Sequence, residues 1–455
     1  MSWVAYLANL IPFNKLRDKV FVPPLPEDSK EIVSVSYYFP ALAGLPIPFL
    51  KLDADKEIER TTKTAKIIRG LVESELFVKL LSSSCVSWVD ECKKPQQEKI
   101  WEEALDNPLA LCLKEQGGIV KAHLNFGTRN YKDSVLPLDC EVTLKHSKTK
   151  HGRLDLVSIE HQGRVYTRDH PKWKKMVDLS VCAGSTYTTF REHFLFSHIL
   201  TTQTLHVLAT HVFAQDHPIY QLIYIHSNAI CWVNVCKGIP LLQASFTKDF
   251  SFADGDLKQY FGELAGEFDL YALNPRKRLQ EAQLSCKSSV YEQGMTCWKI
   301  FEEYVSNWVA ITYQEHEVTE DAQLVQFWDL CKTYPHLSNL GELTKSNLIT
   351  VLTTLIWVAI FHHETVGDEA SDLMKATNLM IPKDDLDGQA KREQQVGTTM
   401  FGSFIFPVAS RVPTVKLLSP GWVAHLTREY RTIATQMQAK VLAHGFTELE
   451  LSCNK

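Results

Sequence analysis

Two histidines five residues apart, His193 and His198, lie inside an apolar stretch whose residue pattern is otherwise helical. On an α-helix a step of five residues ends roughly 140° past a full revolution, so the two rings would diverge. A π-type turn, with i→i+5 hydrogen bonds, returns such residues to one face, and these turns gather at functional sites. The spacing therefore predicts either a π turn that brings two imidazoles together, able to hold a transition metal, or two ordinary histidines with separate partners.

The composition is that of a large globular protein. Of 455 residues, 45% are hydrophobic, which is enough for a sizeable buried core. The 48 Lys and Arg residues nearly balance the 53 Asp and Glu residues, for a net charge of −5. Because nucleic-acid binding requires a clustered basic face, this balance argues against a nucleic-acid partner.

Cysteine usage and the N-terminus bear on the cellular compartment. Eleven cysteines without a CxxC pair favour a reducing environment over a disulfide framework. No signal-peptide pattern and no apolar run of about 18 to 20 residues stands out, so a cytoplasmic protein is expected. Residues 1–22 suggest a short amphipathic helix with a basic end. It would either dock on its own domain or make peripheral contact with a membrane.

The hydrophobic pattern predicts a mainly α-helical fold with one small antiparallel β-subdomain. Alternating apolar and polar residues, separated by turn signals, predict the strands at 120–126, 140–145, 154–160 and 164–167. The remainder favours helices, including an aromatic stripe at 300–312 and an apolar helix at 344–363. We divide the chain into an N-terminal helical part (1–115), the β-subdomain (116–170) and a metal-binding helical core (171–455), all within one domain.

Three segments of the sequence resemble the lipoxygenase family. Residues 191–226 (REHFLFSHILTTQTLHVLATHVFAQDHPIYQLIYIH) are similar to the helix that carries the family's H-x4-H metal ligands. Residues 353–367 (TTLIWVAIFHHETVG) are similar to the helix that carries the third histidine, and 298–313, followed by 320–331, is a looser match between the two. Their order and spacing agree with the family, and the resemblance extends over about residues 100–450.

The resemblance implies a metal held by His193, His198 and His363. Neutral imidazole nitrogens with oxygen donors suit non-haem iron, with manganese as the alternative. His362 lies about 100° off the face of His363 on a helix and is the poorer candidate. Each ligand is expected to donate its second ring N–H to a carbonyl, a carboxylate or water.

The sequence departs from the family pattern at two ligand positions. The family has an Asn four residues after the third histidine, where this chain has Gly367, and it uses a C-terminal Ile, where this chain has Asn454-Lys455. Asp368 or Glu364 could replace the missing ligand, or these residues and Gly367 could support the ligands from behind, although Asp368 and Glu364 could equally be solvated. A three-histidine site completed by water is the plainer expectation, in a minimal protein without the family's N-terminal β-sandwich.

The implied activity is that of a dioxygenase. In the family a metal-bound hydroxide, with no catalytic side chain, takes hydrogen from a C–H flanked by double bonds, and O2 adds to the radical. The substrate would be a polyunsaturated fatty acid or a related polyene. Residues suited to an apolar channel wall, or equally to the ordinary core, are Phe194, Leu195, Trp357, Ile360 and Phe361.

The missing ligands leave two other functions open. The same fold could carry a metal-dependent oxidase or isomerase of an unsaturated specialised metabolite. It could also be a catalytically inactive protein that binds a lipid. Metal analysis distinguishes the inactive protein from the enzymes, and oxygen uptake with linoleate or arachidonate distinguishes the dioxygenase from the other enzyme.

Overall fold

A computed structural model describes residues 97–233, 250–253, 256–314, 317–369, 379–384, 414–418, 423–424 and 426–450. Within these ranges the chain is mostly helical and carries one small antiparallel sheet, which confirms the predicted fold class. The helices predicted before residue 97, the segments 234–249 and 385–413, and the last five residues lie outside the described residues. The proposed three-part division of the domain stays a prediction.

The helices follow one another with short connections. The α-helices are α1 (Gln97–Glu102), α2 (Trp173–Tyr187), α3 (Thr204–Val212), α4 (Pro218–Val233), α5 (Asp256–Glu267), α6 (Pro275–Ala282), α7 (Ser289–Thr312), α8 (Ala322–Lys332), α9 (Lys345–Trp357) and α10 (Arg428–Ala443). Three π-helical segments are π1 (Thr188–Gln203), π2 (Val358–His362) and π3 (Thr365–Glu369). Single 3-10 turns occur at Ala104–Asp106, Pro108–Cys112, Leu270–Leu273, Val318–Glu320 and Pro335–Leu337.

The five-stranded sheet is a simple antiparallel meander. Its strands are β1 (Leu113–Gln116), β2 (Ile119–Leu124), β3 (Cys140–His146), β4 (Leu154–His161) and β5 (Arg164–Tyr166), and each pairs with the next. Alternate residues of β2 face the core, as the period of two requires. The four predicted strands are confirmed within two residues, whereas β1 was not predicted and lies at the end of the part (1–115) that was predicted to be helical. A separate parallel pair joins β6 (Thr414–Leu417) and β7 (Thr447–Glu450).

The segment π1 continues α2 without a break and then becomes α3. Its i→i+5 geometry is also visible in side chains, since the Ser197 hydroxyl donates to the carbonyl of Glu192 at 2.7 Å. The Thr204 hydroxyl likewise donates to the carbonyl of Ile199 at 2.8 Å. These bonds occupy carbonyls whose α-helical partners the wider turn displaces. The π turn predicted from the H-x4-H spacing is confirmed.

Helix α9 and π2 form the apolar centre of the fold. The Thr344 hydroxyl caps the helix by accepting from the Asn347 amide at 3.1 Å. The helix packs against α7, whose predicted stripe is buried at Ile300, Phe301, Tyr304, Val305 and Trp308. The expectation that no apolar run reaches spanning length was wrong, because Lys345–His362 has 18 residues with a mean hydropathy of 1.3. Since 72% of that segment is buried inside the protein, it is placed as a core helix.

Candidate metal centre

Three imidazoles meet where π1 faces the end of π2. The Nε2 atoms of His193 and His198 are 3.0 Å apart. The Nε2 atom of His363 is 3.2 Å from that of His193 and 2.9 Å from that of His198. Among the described residues this is the one group of three or more His, Cys, Asp or Glu side chains whose ligand atoms lie within 4.8 Å of one another.

The local backbone explains why the rings converge. His193 and His198 are five residues apart on π1, so they share a face that an α-helix would have split. His363 follows π2 directly, and π2 packs against π1. His193 and His198 are buried, at 8% and 6% exposure, whereas His363 is half-buried. The fold thus brings together the three residues predicted as ligands, from two segments 165 residues apart.

The cluster suits a cation of the predicted kind. Three neutral Nε2 atoms that face one another present lone pairs, which repel unless a cation or a proton lies among them. Two nitrogens bound at about 2.1 Å and at right angles to each other would be roughly 3.0 Å apart, close to the spacing seen. Imidazole donors without thiolate favour a borderline metal such as iron or manganese. The residues present therefore fit non-haem iron.

Gly367 brings the backbone of π3 directly against the first ligand. A Cβ atom at Gly367 would lie 2.9 Å from His193 Nε2 and 3.2 Å from His193 Cε1. Real side chains essentially never approach so closely, so a residue other than glycine would require the ring or the helix to move. Gly367 therefore offers no side-chain donor and leaves little room for one beside His193.

Glu364 lies beside the third ligand. Its Oε1 atom is 2.9 Å from Nδ1 of His363, and the residue is buried at 6% exposure. A carboxylate on the far nitrogen of a ligating imidazole fixes the tautomer and strengthens the ring as a donor. This contact suits the predicted supporting role of Glu364 better than the predicted solvated one. Nothing can be added on Asp368, whose side chain lies outside the described atoms.

A buried charge network lies next to the cluster and was not predicted from the sequence. Glu192 precedes His193, is 2% exposed, and accepts from Arg278 Nη1 at 2.8 Å. Its Oε2 atom is also 3.3 Å from Nε2 of His362, the residue before His363. Glu192 and His362, which directly precede the ligands His193 and His363, therefore contact each other between π1 and π2. The sequence signal that could have indicated this network is a charged residue, Glu192, inside an apolar helix, because Glu is almost never fully buried unless paired.

Electrostatics keep Glu192 ionised. Burial raises the pKa of its carboxyl, but the Arg278 guanidinium, together with His362 and Arg191, holds that pKa well below the ordinary range. Burial lowers the pKa of His362, and Glu192 partly opposes that effect. A carboxylate with its arginine partner thus anchors the segment that bears His193 to α6.

The residues suggested for a channel wall lie around this centre in different environments. Phe194 stacks near His198, with ring centroids 6.4 Å apart, and packs on Phe261. Trp357 donates to the carbonyl of Gly294 at 2.9 Å and, with Phe361, borders a cavity of about 10 Å³, room for roughly one water. The fully buried pair Leu195 and Ile360 packs in the hydrophobic core. Their role toward a substrate stays a prediction.

Replacing Glu364 with Gln is expected to weaken metal binding by roughly 10- to 100-fold, because the amide is a poorer partner for His363 Nδ1. Titration of the metal-free protein with ferrous ion, followed by isothermal calorimetry, measures the change. The exposed Glu342, which lies before α9, supplies the matched control Glu342→Gln, for which wild-type affinity is expected. Equal affinities in the two variants would contradict a supporting role for Glu364.

Comparisons with known proteins agree with this geometry. A family model described as lipoxygenase matches residues 283–368. Linoleate 13S-lipoxygenase 2-1, chloroplastic, of Solanum tuberosum is 23% identical over 324 residues, which cover 60% of this chain and 36% of the relative. Lipoxygenase 2, chloroplastic, of Arabidopsis thaliana is 22% identical over 254 residues, 49% of this chain and 28% of the relative. The chain therefore spans about a third of the length of the curated relatives it matches.

Solved structures share the fold. Coral 8R-lipoxygenase superposes with a TM-score of 0.62 at 14% identity, covering 77% of this chain and 62% of that chain. A LOX variant whose anaerobic crystal structure contains arachidonate gives a TM-score of 0.64 at 13% identity, covering 85% and 70%. The helical core with its small antiparallel sheet is thus a lipoxygenase-like fold. The chain is therefore similar to lipoxygenases over the matched segment and in its fold, with 13% to 23% sequence identity to these proteins.

Proposed function

We propose that this protein is a non-haem iron dioxygenase that abstracts hydrogen from a polyunsaturated fatty acid, or a related polyene, and adds O2 to it. The observation that carries the proposal is the meeting of His193, His198 and His363 through their Nε2 atoms, within 3.2 Å of one another. Manganese is the alternative metal for this donor set.

The protein's own residues have separable tasks in this proposal. His193, His198 and His363 would hold the metal, which when bound supplies the one-electron chemistry that amino-acid side chains lack. Glu364 orients the imidazole of His363. Glu192 and Arg278 fix the segment that bears His193. Phe194, beside His198, gives the apolar surface that would position a hydrocarbon chain and exclude water.

The nature of the relatives supports an unsaturated fatty acid as the substrate. One relative is named for linoleate, and one solved structure of the same fold was obtained in complex with arachidonate. Both molecules contain the C–H bond between two double bonds that the proposed reaction requires. These two acids are therefore the first substrates to test.

Elemental analysis combined with an oxygen electrode tests the proposal. We expect about one iron per chain and oxygen consumption with linoleate or arachidonate, at a turnover of about 1 to 10³ per second. Conjugated-diene absorbance should rise in step with oxygen uptake. Iron-loaded protein that consumes no oxygen with either acid would overturn the dioxygenase proposal.

Gly367 favours one alternative in particular, a metal-dependent oxidase or isomerase. Because Gly367 has no side-chain donor, the donor set would differ from that of the family, and donor sets tune the reactivity of a metal. Iron-loaded protein that rearranges a polyene hydroperoxide without consuming oxygen would support this alternative. Protein that binds the fatty acid but retains no iron would instead support the inactive lipid-binding protein.

A cytoplasmic location, with peripheral membrane contact through residues 1–22, is part of the same proposal. Those residues lie outside the described ones. The support is their amphipathic sequence pattern and an apolar substrate that partitions into membranes.

A further inference from the structure

A second group of reactive side chains lies where the β-sheet meets the connection between α6 and α7. Cys286 Sγ, on that connection, is 3.1 Å from Nδ1 of His146, the last residue of β3. On the opposite edge of the ring, Nε2 is 3.0 Å from Oε1 of Glu115, on β1. Cys286, His146 and Glu115 form a group that we call the thiol cluster.

The carboxylate of the thiol cluster is firmly held. The Ser285 amide donates to Glu115 Oε2 at 2.6 Å, and the Ser285 hydroxyl donates to Oε1 at 2.8 Å. Burial opposes ionisation, but these bonds and His146 together keep the pKa of the Glu115 carboxyl below its ordinary value. Glu115 is therefore an acceptor at neutral pH, and His146 donates to it from Nε2.

The tautomer of His146 follows from that bond. A neutral imidazole carries one N–H, so donation from Nε2 leaves the lone pair of Nδ1 directed to the thiol of Cys286. The Ser285 hydroxyl, 3.1 Å from Nε2, lies on the Glu115 side and does not compete for Nδ1. Thiol, base and carboxylate thus stand in series, as nucleophile, base and orienting group do in cysteine hydrolases.

The arrangement differs from the metal centre in a decisive way. There, one edge of each of three rings faces a common point. In the thiol cluster Cys286 and Glu115 lie on opposite nitrogens of one ring, so their ligand atoms point at no shared position. The geometry suits proton transfer along the ring and does not suit a cation.

Cys286 differs from the other described cysteines in its surroundings. Cys112 and Cys286 are partly exposed, whereas Cys140, Cys182, Cys297 and Cys331 are buried. Burial raises the pKa of the Cys112 and Cys182 thiols to about 12 and also raises the pKa of Cys140, Cys297 and Cys331. Those thiols are inert at neutral pH, since the thiolate is the nucleophile.

We propose that Cys286 is a nucleophilic site that forms covalent adducts with activated alkenes, that is, with α,β-unsaturated carbonyl compounds. His146 is the general base, and Glu115 is the residue that positions it. This inference is independent of the function proposed for the metal centre.

The addition balances without another reactant. His146 Nδ1 takes the thiol proton as the sulfur forms a bond to the β-carbon of the alkene. The π electron pair moves to the α-carbon, which then takes the proton back from His146. No group leaves, and neither partner needs an external oxidant or reductant.

The same geometry favours addition over acyl transfer. Acyl transfer requires N–H donors aimed at a developing oxyanion. The amide of Ser285, which adjoins the thiol, already donates to Glu115 and is committed to holding the carboxylate. An activated alkene carries its developing charge away from the attacked carbon and makes less demand on such donors.

Site-resolved alkylation of the full chain with N-ethylmaleimide at pH 7 tests the proposal. Quenched time points and peptide mass spectrometry give the rate at each cysteine, with N-acetylcysteine as the reference. An ordinary thiol is only about 3% thiolate at pH 7. If the neighbouring base makes a thiol fully ionised, its alkylation rate therefore rises by up to about thirtyfold. The actual rise is smaller, because a more acidic thiol gives a less nucleophilic thiolate. We expect Cys286 to react about tenfold faster than the reference and Cys182 to stay unlabelled.

Variants test whether the faster labelling of Cys286 depends on His146 and Glu115. His146→Gln should slow labelling of Cys286 about tenfold, to the reference rate, and Glu115→Gln should slow it in the same direction. His123→Gln, an exposed histidine on neighbouring β2, is the matched control and should leave the rate unchanged. In guanidinium chloride all variants should label at one rate.

Two results would overturn the inference. One is a wild-type rate at Cys286 no greater than that of N-acetylcysteine, which is independent of how any variant folds. The other is an unchanged rate in a His146→Gln variant whose far-UV circular dichroism matches that of the wild type.

Discussion

Replacement of His193 by alanine is expected to remove the metal and, with it, all oxygen uptake. One of three protein donors would be lost, and the remaining pair holds an ion far less tightly. The fall in metal affinity should exceed the roughly 10- to 100-fold fall that follows when a residue hydrogen-bonded to a ligand is removed. Elemental analysis after gel filtration should therefore find iron in the wild type and almost none in the variant.

The control is a histidine nearby that does not belong to the cluster. His211 is exposed on α3, the helix that follows π1, so His211→Ala should retain wild-type iron content. Circular dichroism of both variants separates loss of a ligand from loss of the fold. A folded His193→Ala protein with full iron occupancy would show that the assignment of the ligands is wrong.

Replacement of Arg278 by methionine should cost about 3 to 5 kcal/mol of unfolding free energy, as expected when one partner of a buried ion pair is removed. The reason is that Glu192, at 2% exposure, would lose the guanidinium 2.8 Å away and remain as a buried carboxylate. Urea unfolding of the metal-free protein measures the change, since bound metal would add its own stabilisation.

The neighbouring residue offers a matched control for that prediction. Lys277, on the same helix, pairs with Asp269 at 3.1 Å but is 45% exposed. Exposed pairs contribute about 0 to 1 kcal/mol, so Lys277→Met should hardly shift the urea midpoint. Equal shifts in the two variants would contradict the account of Glu192 as a residue held by Arg278.

The parts of the fold that follow from local periodicity could be predicted from the sequence. Four strands of the sheet have alternating patterns, and the apolar stripe of α7 has helical spacing. The five-residue spacing of His193 and His198 left two outcomes open, a π turn or two separate histidines, and the structure has the π turn. The prediction that His363 joins the other two histidines came from the resemblance, since no local pattern links positions 165 residues apart.

Other features depend on contacts between distant segments. The pairing of Glu192 with Arg278 joins π1 to α6, and nothing near either residue specifies the partner. Strand β1 has only four residues and pairs with β2 across a two-residue turn, too short for its alternation to stand out. The thiol cluster likewise joins three separate segments. Such contacts are decided by tertiary packing, which overrides local preference.

The glycine at position 367 sets a limit on how this centre could change. Because a Cβ at this position would lie 2.9 Å from His193 Nε2, an asparagine introduced there would meet the ring before its amide could reach an ion. The two ligand-bearing segments would have to separate first, and the buried bond between Glu192 and Arg278 ties one of them in place. Recovery of a four-side-chain donor set from this sequence would therefore take several concerted substitutions in both segments.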